Sequence, residues 1–133
     1  MSYIKDTTYK DIRMNKDRCL KPATDDECRI ALLTLKDTLD IVGGKWKLVL
    51  ISILRGGKFK FRELAREAQI SPRILSKELK ELEVNGLVSR TVLDTRPITV
   101  EYQLTTYSIS LNELISAMYE WGKMHRKKVT GKQ

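Results

Sequence analysis

The chain has 133 residues, a length that suits one domain with a modest hydrophobic core. Its 25 Lys and Arg residues outnumber its 17 Asp and Glu residues, and the formal net charge of +8 favours a polyanionic partner such as double-stranded DNA. Two cysteines and one histidine are too few for a disulfide framework or a Cys/His metal site. The sequence shows neither a membrane-spanning apolar run nor a signal-peptide core. We therefore expect a cytoplasmic protein without metal, cofactor or membrane partner.

The first predicted helix follows an N-terminal arm, residues 1–23, in which apolar residues show no periodicity. Thr24 and Glu27 have the spacing of a capping box, so a helix is expected to begin there and to run to about Val42. Apolar residues lie on two of its sides, which indicates contact with more than one neighbour. One side carries Ile30 and Leu33 with Asp37, and the other carries Leu32, Leu35, Leu39 and Val42.

A second helix is predicted over residues 45–55, between two glycine pairs that act as helix stops, Gly43-Gly44 and Gly56-Gly57. Its apolar residues recur at helical spacing and predict the buried stripe. This stripe consists of Trp46, Val49, Leu50 and Ile53, with Trp46 as an anchor in the core.

Two further helices are predicted with a very short joint between them. The first is a short amphipathic helix from Phe59 that ends near Gln69, and the second runs from about Pro72 to Val84. Ser71 supplies an N-cap hydroxyl, and Pro72 stands where a missing N–H costs nothing. So tight a joint is typical of a helix-turn-helix.

The helix from Pro72 has two different faces. At about 100° per residue, Leu75, Leu79 and Leu82 share one stripe, which is expected to pack in the core. The opposite face is polar and basic, as a helix in a DNA major groove requires, although such residues are often merely solvated and Glu78 and Glu81 add negative charge nearby. This face carries Arg73, Ser76, Lys77 and Lys80.

A β-hairpin is predicted directly after this helix. Residues 87–93 favour a strand, residues 94–97 supply turn chemistry, and residues 98–104 alternate with a period of two. One face of the second strand carries Val100, Tyr102 and Leu104. Arg90 and Arg96 then remain available for phosphate or a minor groove, and the equal alternative for Arg96 is an ordinary exposed turn residue.

A last helix, capped by Ser108 or Ser110, carries Leu111, Leu114, Ile115, Met118 and Trp121. A helix-turn-helix followed by a β-hairpin, or wing, makes a complete winged-helix core, which leaves the last helix nothing to cover in its own domain. This helix and the first one are therefore predicted to form a two-fold interface between two copies of the chain. Residues 123–133 read as a basic tail that is frayed or touches the DNA backbone. The predicted organisation is an arm over 1–23, a winged-helix and dimerisation domain over 24–122, and this tail.

Enzymatic activity is not expected. The only histidine, His125, stands among lysines near the C-terminus, and the sequence has no nucleophile elbow and no pair of carboxylates in an apolar frame. The two glycine pairs lack the spacing of a phosphate-binding loop.

Several segments in a fixed order resemble the HxlR-type group of bacterial winged-helix regulators, which are related to the MarR regulators. The resemblance covers roughly residues 28–122. The segments that carry it are Asp40–Lys47, Phe59–Leu64, Ile70–Glu83, Asn85–Arg90, Val100–Thr105 and Trp121-Gly122.

The resemblance implies a fold that is mainly α with a small β-hairpin wing, a winged helix-turn-helix with extra N- and C-terminal dimerisation helices. It also implies a homodimer that represses or activates nearby genes from a pseudo-palindromic operator, with the helix from Pro72 in successive major grooves and the wing at the flank. Its effector, if it has one, is an unknown small molecule or an oxidant.

The chain departs from this group at two positions. Many members carry a cysteine where this sequence has Leu33, and some of them sense oxidants or electrophiles through it. Cys28 stands five residues earlier, so Cys28 and Cys19 are candidate redox residues, and the alternative is that both are inert and reduced. Ser108 replaces a common glycine, which predicts a capped joint after the wing instead of a turn through positive φ.

The candidate site therefore combines base-reading and phosphate-binding residues. Arg73, Ser76, Lys77 and Lys80 are expected in the major groove, and the other cations are expected on phosphate. A winged-helix module that binds an acidic protein and has no operator is the alternative function. The candidate DNA-binding residues are Ser71, Arg73, Ser76, Lys77, Lys80, Lys58, Lys60, Arg62, Arg90 and Arg96.

Overall fold

The computed structural model describes residues 24–131, which fall into two compact units. One unit extends from Ile41 to Ile115, and the other combines the residues before Ile41 with those from Ser116 onward. Helix α1 (Asp25–Val42) begins as expected, since the Thr24 hydroxyl accepts a hydrogen bond of 3.1 Å from the backbone N–H of Glu27. The predicted arm, residues 1–23, lies outside the described residues.

The unit from Ile41 to Ile115 contains three helices and a small sheet, which agrees with the predicted winged helix-turn-helix. Strand β3 lies in the centre of the sheet and pairs antiparallel with both neighbours, and the order is β1-β3-β2. The strand that the sequence did not predict is β1, which adds a third strand to the hairpin. The elements are α2 (Lys47–Leu54), β1 (Phe59–Lys60), α3 (Phe61–Ala68), α4 (Pro72–Val84), β2 (Val88–Leu93) and β3 (Thr99–Leu104).

The core of this unit lies where α2, α3 and α4 pack against one another and against the sheet. The predicted stripe of α4 is buried completely, with Leu75, Leu79 and Leu82 each at most 1 % exposed. On β3, Tyr102 is buried while Val100 and Leu104 pack against the core, so the predicted inner face of the wing is confirmed. The other buried members are Val42, Leu50, Ile51, Leu54, Leu64, Ile70, Leu87 and Val88.

Helix α2 differs from its prediction. It begins at Lys47 and not at Lys45, and its buried residues are Lys47, Leu50, Ile51 and Leu54. Val49 is exposed, while Trp46 and Ile53 are partly buried against the core. Nearly every residue of this helix is apolar, so periodicity alone could not decide which side would face the core, and tertiary packing decided it.

The start of α3 and the joint after β3 also differ from their predictions. Phe59 and Lys60 pair with β3, and the helix begins at Phe61. A 3₁₀ helix (Thr106–Leu111) connects β3 to α5 (Asn112–Thr130). Ser108 does not cap that helix: it is fully buried, and its hydroxyl donates a hydrogen bond to the Thr105 carbonyl at 2.6 Å.

Helix α5 continues to Thr130, so Lys123, Arg126, Lys127 and Lys128 are helical and not part of a frayed tail. The predicted boundary at residue 122 therefore falls within a helix. Among the helices of residues 24–131, none combines the length and the apolar composition needed to span a membrane.

Candidate nucleic-acid interface

Helix α4 has the bounds and the cap that the sequence predicts. The Ser71 hydroxyl accepts a hydrogen bond of 3.3 Å from the backbone N–H of Ile74, and Pro72 occupies the first turn. At the other end, Gly86 has a φ of +74°, which favours glycine. These local signals fix where the helix starts and stops.

The joint between α3 and α4 is a left-handed turn at Gln69. Gln69 has a φ of 55° and a ψ of 46°, and the Ile70 backbone N–H donates to the Ala65 carbonyl at 3.3 Å. Ile70 is buried after the turn, which brings the start of α4 against the end of α3. The two helices therefore have the compact connection of a helix-turn-helix.

All the side chains predicted to face the major groove are exposed on α4. Arg73, Lys77 and Lys80 form no ion pair with any other residue of the range 24–131. Ser71 and Ser76 are exposed beside them. The structure therefore brings together a cationic face that offers both guanidinium and hydroxyl donors to a polyanion.

The two acidic residues that the sequence placed near this face are held by a buried lysine. The Nζ atom of Lys47, on α2, lies 2.8 Å from Oε1 of Glu78 and 3.1 Å from Oε1 of Glu81. The Lys47 side chain is 8 % exposed, and that of Glu78 is 13 % exposed. Glu78 is therefore partnered inside the protein, whereas Glu81, whose side chain is 43% exposed, contacts Lys47 and stays partly accessible to solvent.

Burial of Lys47 lowers the pKa of its ammonium, but hydrogen bonds and the negative charges of Glu78 and Glu81 outweigh this effect, so the pKa is raised above its usual 10.5. Sequence reasoning missed this cluster. The signal was present, because Lys47 has helical spacing with Leu50, Ile51 and Leu54, and a lysine on a buried stripe requires carboxylates nearby.

The wing places its two predicted arginines differently. Arg90 on β2 lies opposite Tyr102 on β3, so its side chain is on the inner face of the sheet. Arg90 is nevertheless exposed, because β2 is an edge strand. Arg96 is exposed at the tip. The turn is held by Thr95, whose hydroxyl donates to the Pro97 carbonyl at 2.9 Å and lies 3.0 Å from the Thr99 hydroxyl.

The remaining predicted cations lie around β1 and the start of α3. Lys58, Lys60 and Arg62 are all exposed. The Lys60 backbone N–H donates to Oε1 of Glu63 at 2.8 Å, which caps the helix while leaving the Lys60 ammonium in solvent. These cations therefore have the accessibility that phosphate contacts need.

Of the two candidate redox residues, only Cys28 lies within the described residues. Cys28 is half-buried on α1, near its start. Cys19 lies outside the described residues.

Comparison of the sequence with models of known protein families identifies the family of this chain. The model of the family described as HxlR-like helix-turn-helix matches residues 41–130, which is more than half of the chain. The chain belongs to this family. The HxlR-like chain is therefore a winged helix-turn-helix transcriptional regulator and not an enzyme, as the sequence predicts.

Individual relatives agree with this assignment. The HxlR-like chain is 36% identical over 100 residues to the uncharacterized helix-turn-helix-type transcriptional regulator YtcD of Bacillus subtilis (strain 168), covering 74% of this chain and 79% of YtcD. The solved structure of the redox regulator HypR in its reduced form matches with a TM-score of 0.68 and 37% identity, over 74% of this chain and 98% of that one. A structure named as a MarR-family transcriptional regulator from Enterococcus faecalis V583 matches with a TM-score of 0.60 and 35% identity, over 80% and 94%.

Proposed function

We propose that this regulator binds a pseudo-palindromic operator as a homodimer, with α4 of each copy in one of two successive major grooves and the wing at the flank. The exposed cationic face of α4 is the single observation that carries the proposal. Glu78 and Glu81 both contact Lys47, which offsets part of their negative charge, while Arg73, Lys77 and Lys80 stay exposed on the cationic face. Such a face suits the phosphates and the acceptor atoms of guanine in the major groove.

Each exposed residue has a role that follows from its chemistry. Arg73, in the first turn of α4, can form two hydrogen bonds to one guanine, and Ser76 and Lys77 lie one turn further along the same face. Lys80 then reaches a base edge or a phosphate. The residues proposed to neutralise phosphate are Lys58, Lys60, Arg62, Arg90 and Arg96, and the uncharged Ser71 is proposed to contact DNA beside them.

Exposed apolar side chains support the homodimer. On α1, Ile30, Leu32, Leu33, Leu35 and Leu39 are all more than half exposed. On α5, Met118 and Trp121 are 51% and 60% exposed. Two helices with so much apolar surface in water favour association, and a symmetric homodimer is the commonest form of it.

The first experiment compares a duplex that the protein selects from a randomised library with a scrambled duplex of equal length, using fluorescence anisotropy across a salt series. A site-specific regulator is expected to bind the selected duplex at least about a thousandfold more tightly than the scrambled one, with affinity that falls as salt rises. Failure to select any duplex, together with weak binding that salt does not affect, would favour the protein-binding module instead.

Thiol regulation is a second candidate function, favoured by the similarity to a protein named a redox regulator. Cys28 and Cys19 are the thiols that this chain offers. We expect an oxidant such as diamide to change operator affinity in the wild type but not in the Cys19→Ser, Cys28→Ser double variant. Equal affinities in both proteins, with and without oxidant, would exclude thiol sensing.

A further inference from the structure

The Lys47 ammonium connects α2 to two residues that are three positions apart on α4. Oε1 of Glu78 and Oε1 of Glu81 lie 2.8 and 3.1 Å from Nζ, and the lysine side chain is 8 % exposed. We propose that Lys47 is a positioning residue for DNA binding, which fixes the rotation of α4 about its own axis and thereby the direction in which its cationic face points. The inference rests on the proposed function, because it concerns how α4 enters the major groove.

Apolar burial holds α4 against the core but is a non-directional interaction. The leucines that bury α4 are Leu75, Leu79 and Leu82. An ammonium that receives two carboxylates one helical turn apart is directional, since a rotation of α4 in either direction lengthens one of the two contacts. The contacts of Lys47 with Glu78 and Glu81 therefore supply a directional interaction that the leucines lack.

The geometry of α4 shows why a small rotation matters for the site. Arg73 and Lys77 read one side of a groove, and a bidentate contact to guanine requires the guanidinium in one plane. If the rotation of α4 is fixed, this geometry is kept. If α4 can rotate about its axis, it retains its positive charge but loses the base contacts. Lys47 is thus expected to affect preference for the operator more than attraction to DNA in general.

The test compares Lys47→Met with Lys45→Met. Lys45 is exposed two residues earlier, with its Nζ atom 5.1 Å from the centre of the Trp46 ring, so its replacement removes the same charge without touching α4. Affinity is measured for the selected and the scrambled duplex, at a temperature where circular dichroism shows each variant folded. Lys47→Met is expected to reduce the preference for the selected duplex about tenfold, and Lys45→Met to leave the preference unchanged. Lys47→Arg, which keeps a cation able to reach both carboxylates, is expected to restore most of the preference.

A second pair of variants keeps the test decisive if Lys47→Met does not fold. Glu81→Gln removes one of the two carboxylates from Lys47, and Glu83→Gln removes an exposed carboxylate from the same helix. Both changes add one positive charge, so both are expected to raise the affinity for scrambled DNA. Only Glu81→Gln is expected to lower the preference for the selected duplex, by about threefold.

The outcomes separate the two proposals. A wild-type protein without preference for any duplex overturns the proposed function, and with it the positioning role. A wild-type protein with clear preference, and equal effects of the Lys47 and Lys45 variants or of the Glu81 and Glu83 variants, overturns the role of Lys47 alone.

Discussion

Lysine rarely lies in a protein interior, and Lys47 does so because two carboxylates receive its ammonium. Removing one partner of such a cluster leaves an uncompensated buried charge, which is much more costly than replacing the whole cluster with neutral groups. Lys47→Met alone is therefore a harsher change than the triple replacement Lys47→Met, Glu78→Gln, Glu81→Gln. The triple variant is the proper reference for the contribution of charge.

The pH dependence of stability follows from the raised pKa of Lys47. Folding favours the protonated ammonium, so this contribution is fully present below the unfolded-state pKa of 10.5 and is lost as pH rises through the higher folded-state value. We expect the wild type to lose free energy of unfolding relative to the triple variant above that pH, and the difference between them to be constant near neutrality. Urea unfolding of both proteins over this alkaline range checks the prediction, since the other lysines and the tyrosines titrate in both. A constant difference throughout would contradict it.

Base reading and phosphate binding are distinguishable at single residues. Arg73→Ala is expected to cost roughly 1–3 kcal/mol on the selected duplex and to relax one base position, because a bidentate contact is lost. Lys60→Ala is expected to weaken all duplexes alike and to reduce the salt slope by about one for each copy bound. Anisotropy titrations with single-base variants of the selected duplex measure both effects. Equal weakening of selected and scrambled DNA by both replacements would refute the groove assignment.

At the scale of elements, the joint between α3 and α4 holds a non-glycine residue at positive φ. Gln69 adopts the left-handed region, which costs an L-residue about 1–2 kcal/mol, whereas glycine avoids this cost but loses about 0.5–1 kcal/mol of chain entropy on folding. We therefore expect Gln69→Gly to raise the free energy of unfolding by about 0.5–1 kcal/mol. Urea denaturation measures the change, and Gln69→Ala is the control that removes the side chain and keeps the strain. A gain as large in the alanine variant would show that the side chain and not the backbone is responsible.

The sequence predicted elements well where the signals are local. Ser71 and Pro72 place the start of α4 correctly, because an N-cap and a helix-compatible proline act within one turn. The buried side of α2 was predicted wrongly because it depends on residues far away in the chain. Ser108 was predicted wrongly because a 3₁₀ helix precedes α5, and its hydroxyl donates to the Thr105 carbonyl within that segment. The Lys47 cluster joins residues 31 positions apart, so only the fold could bring them together. The DNA contacts of the site stay a prediction.

At the scale of the whole molecule, the proposed homodimer rests on the exposed apolar residues of α1 and α5. Leu35 is 56% exposed on α1, and Lys36 is the neighbouring exposed residue on the same helix. In the proposed homodimer, Leu35→Asp buries a carboxylate at the interface and is expected to shift the protein toward the monomer. Lys36→Asp is the control, because it changes the net charge by a larger amount but is expected to affect association less. Light scattering at micromolar concentration gives the molar mass, which is expected near twice 15.4 kDa for the wild type and for Lys36→Asp.

Association and DNA binding are linked in this scheme, so the monomeric variant makes a further claim that can be measured. A dimer neutralises phosphates at two half-sites, and the slope of log affinity against log salt is proportional to the number of phosphates neutralised. Leu35→Asp is therefore expected to bind the selected duplex more weakly and with about half the wild-type salt slope. A wild type that scatters light as a monomer would refute the dimer outright. A monomeric Leu35→Asp variant that kept the full salt slope would show that one copy makes all the phosphate contacts, and the operator would then not need two-fold symmetry.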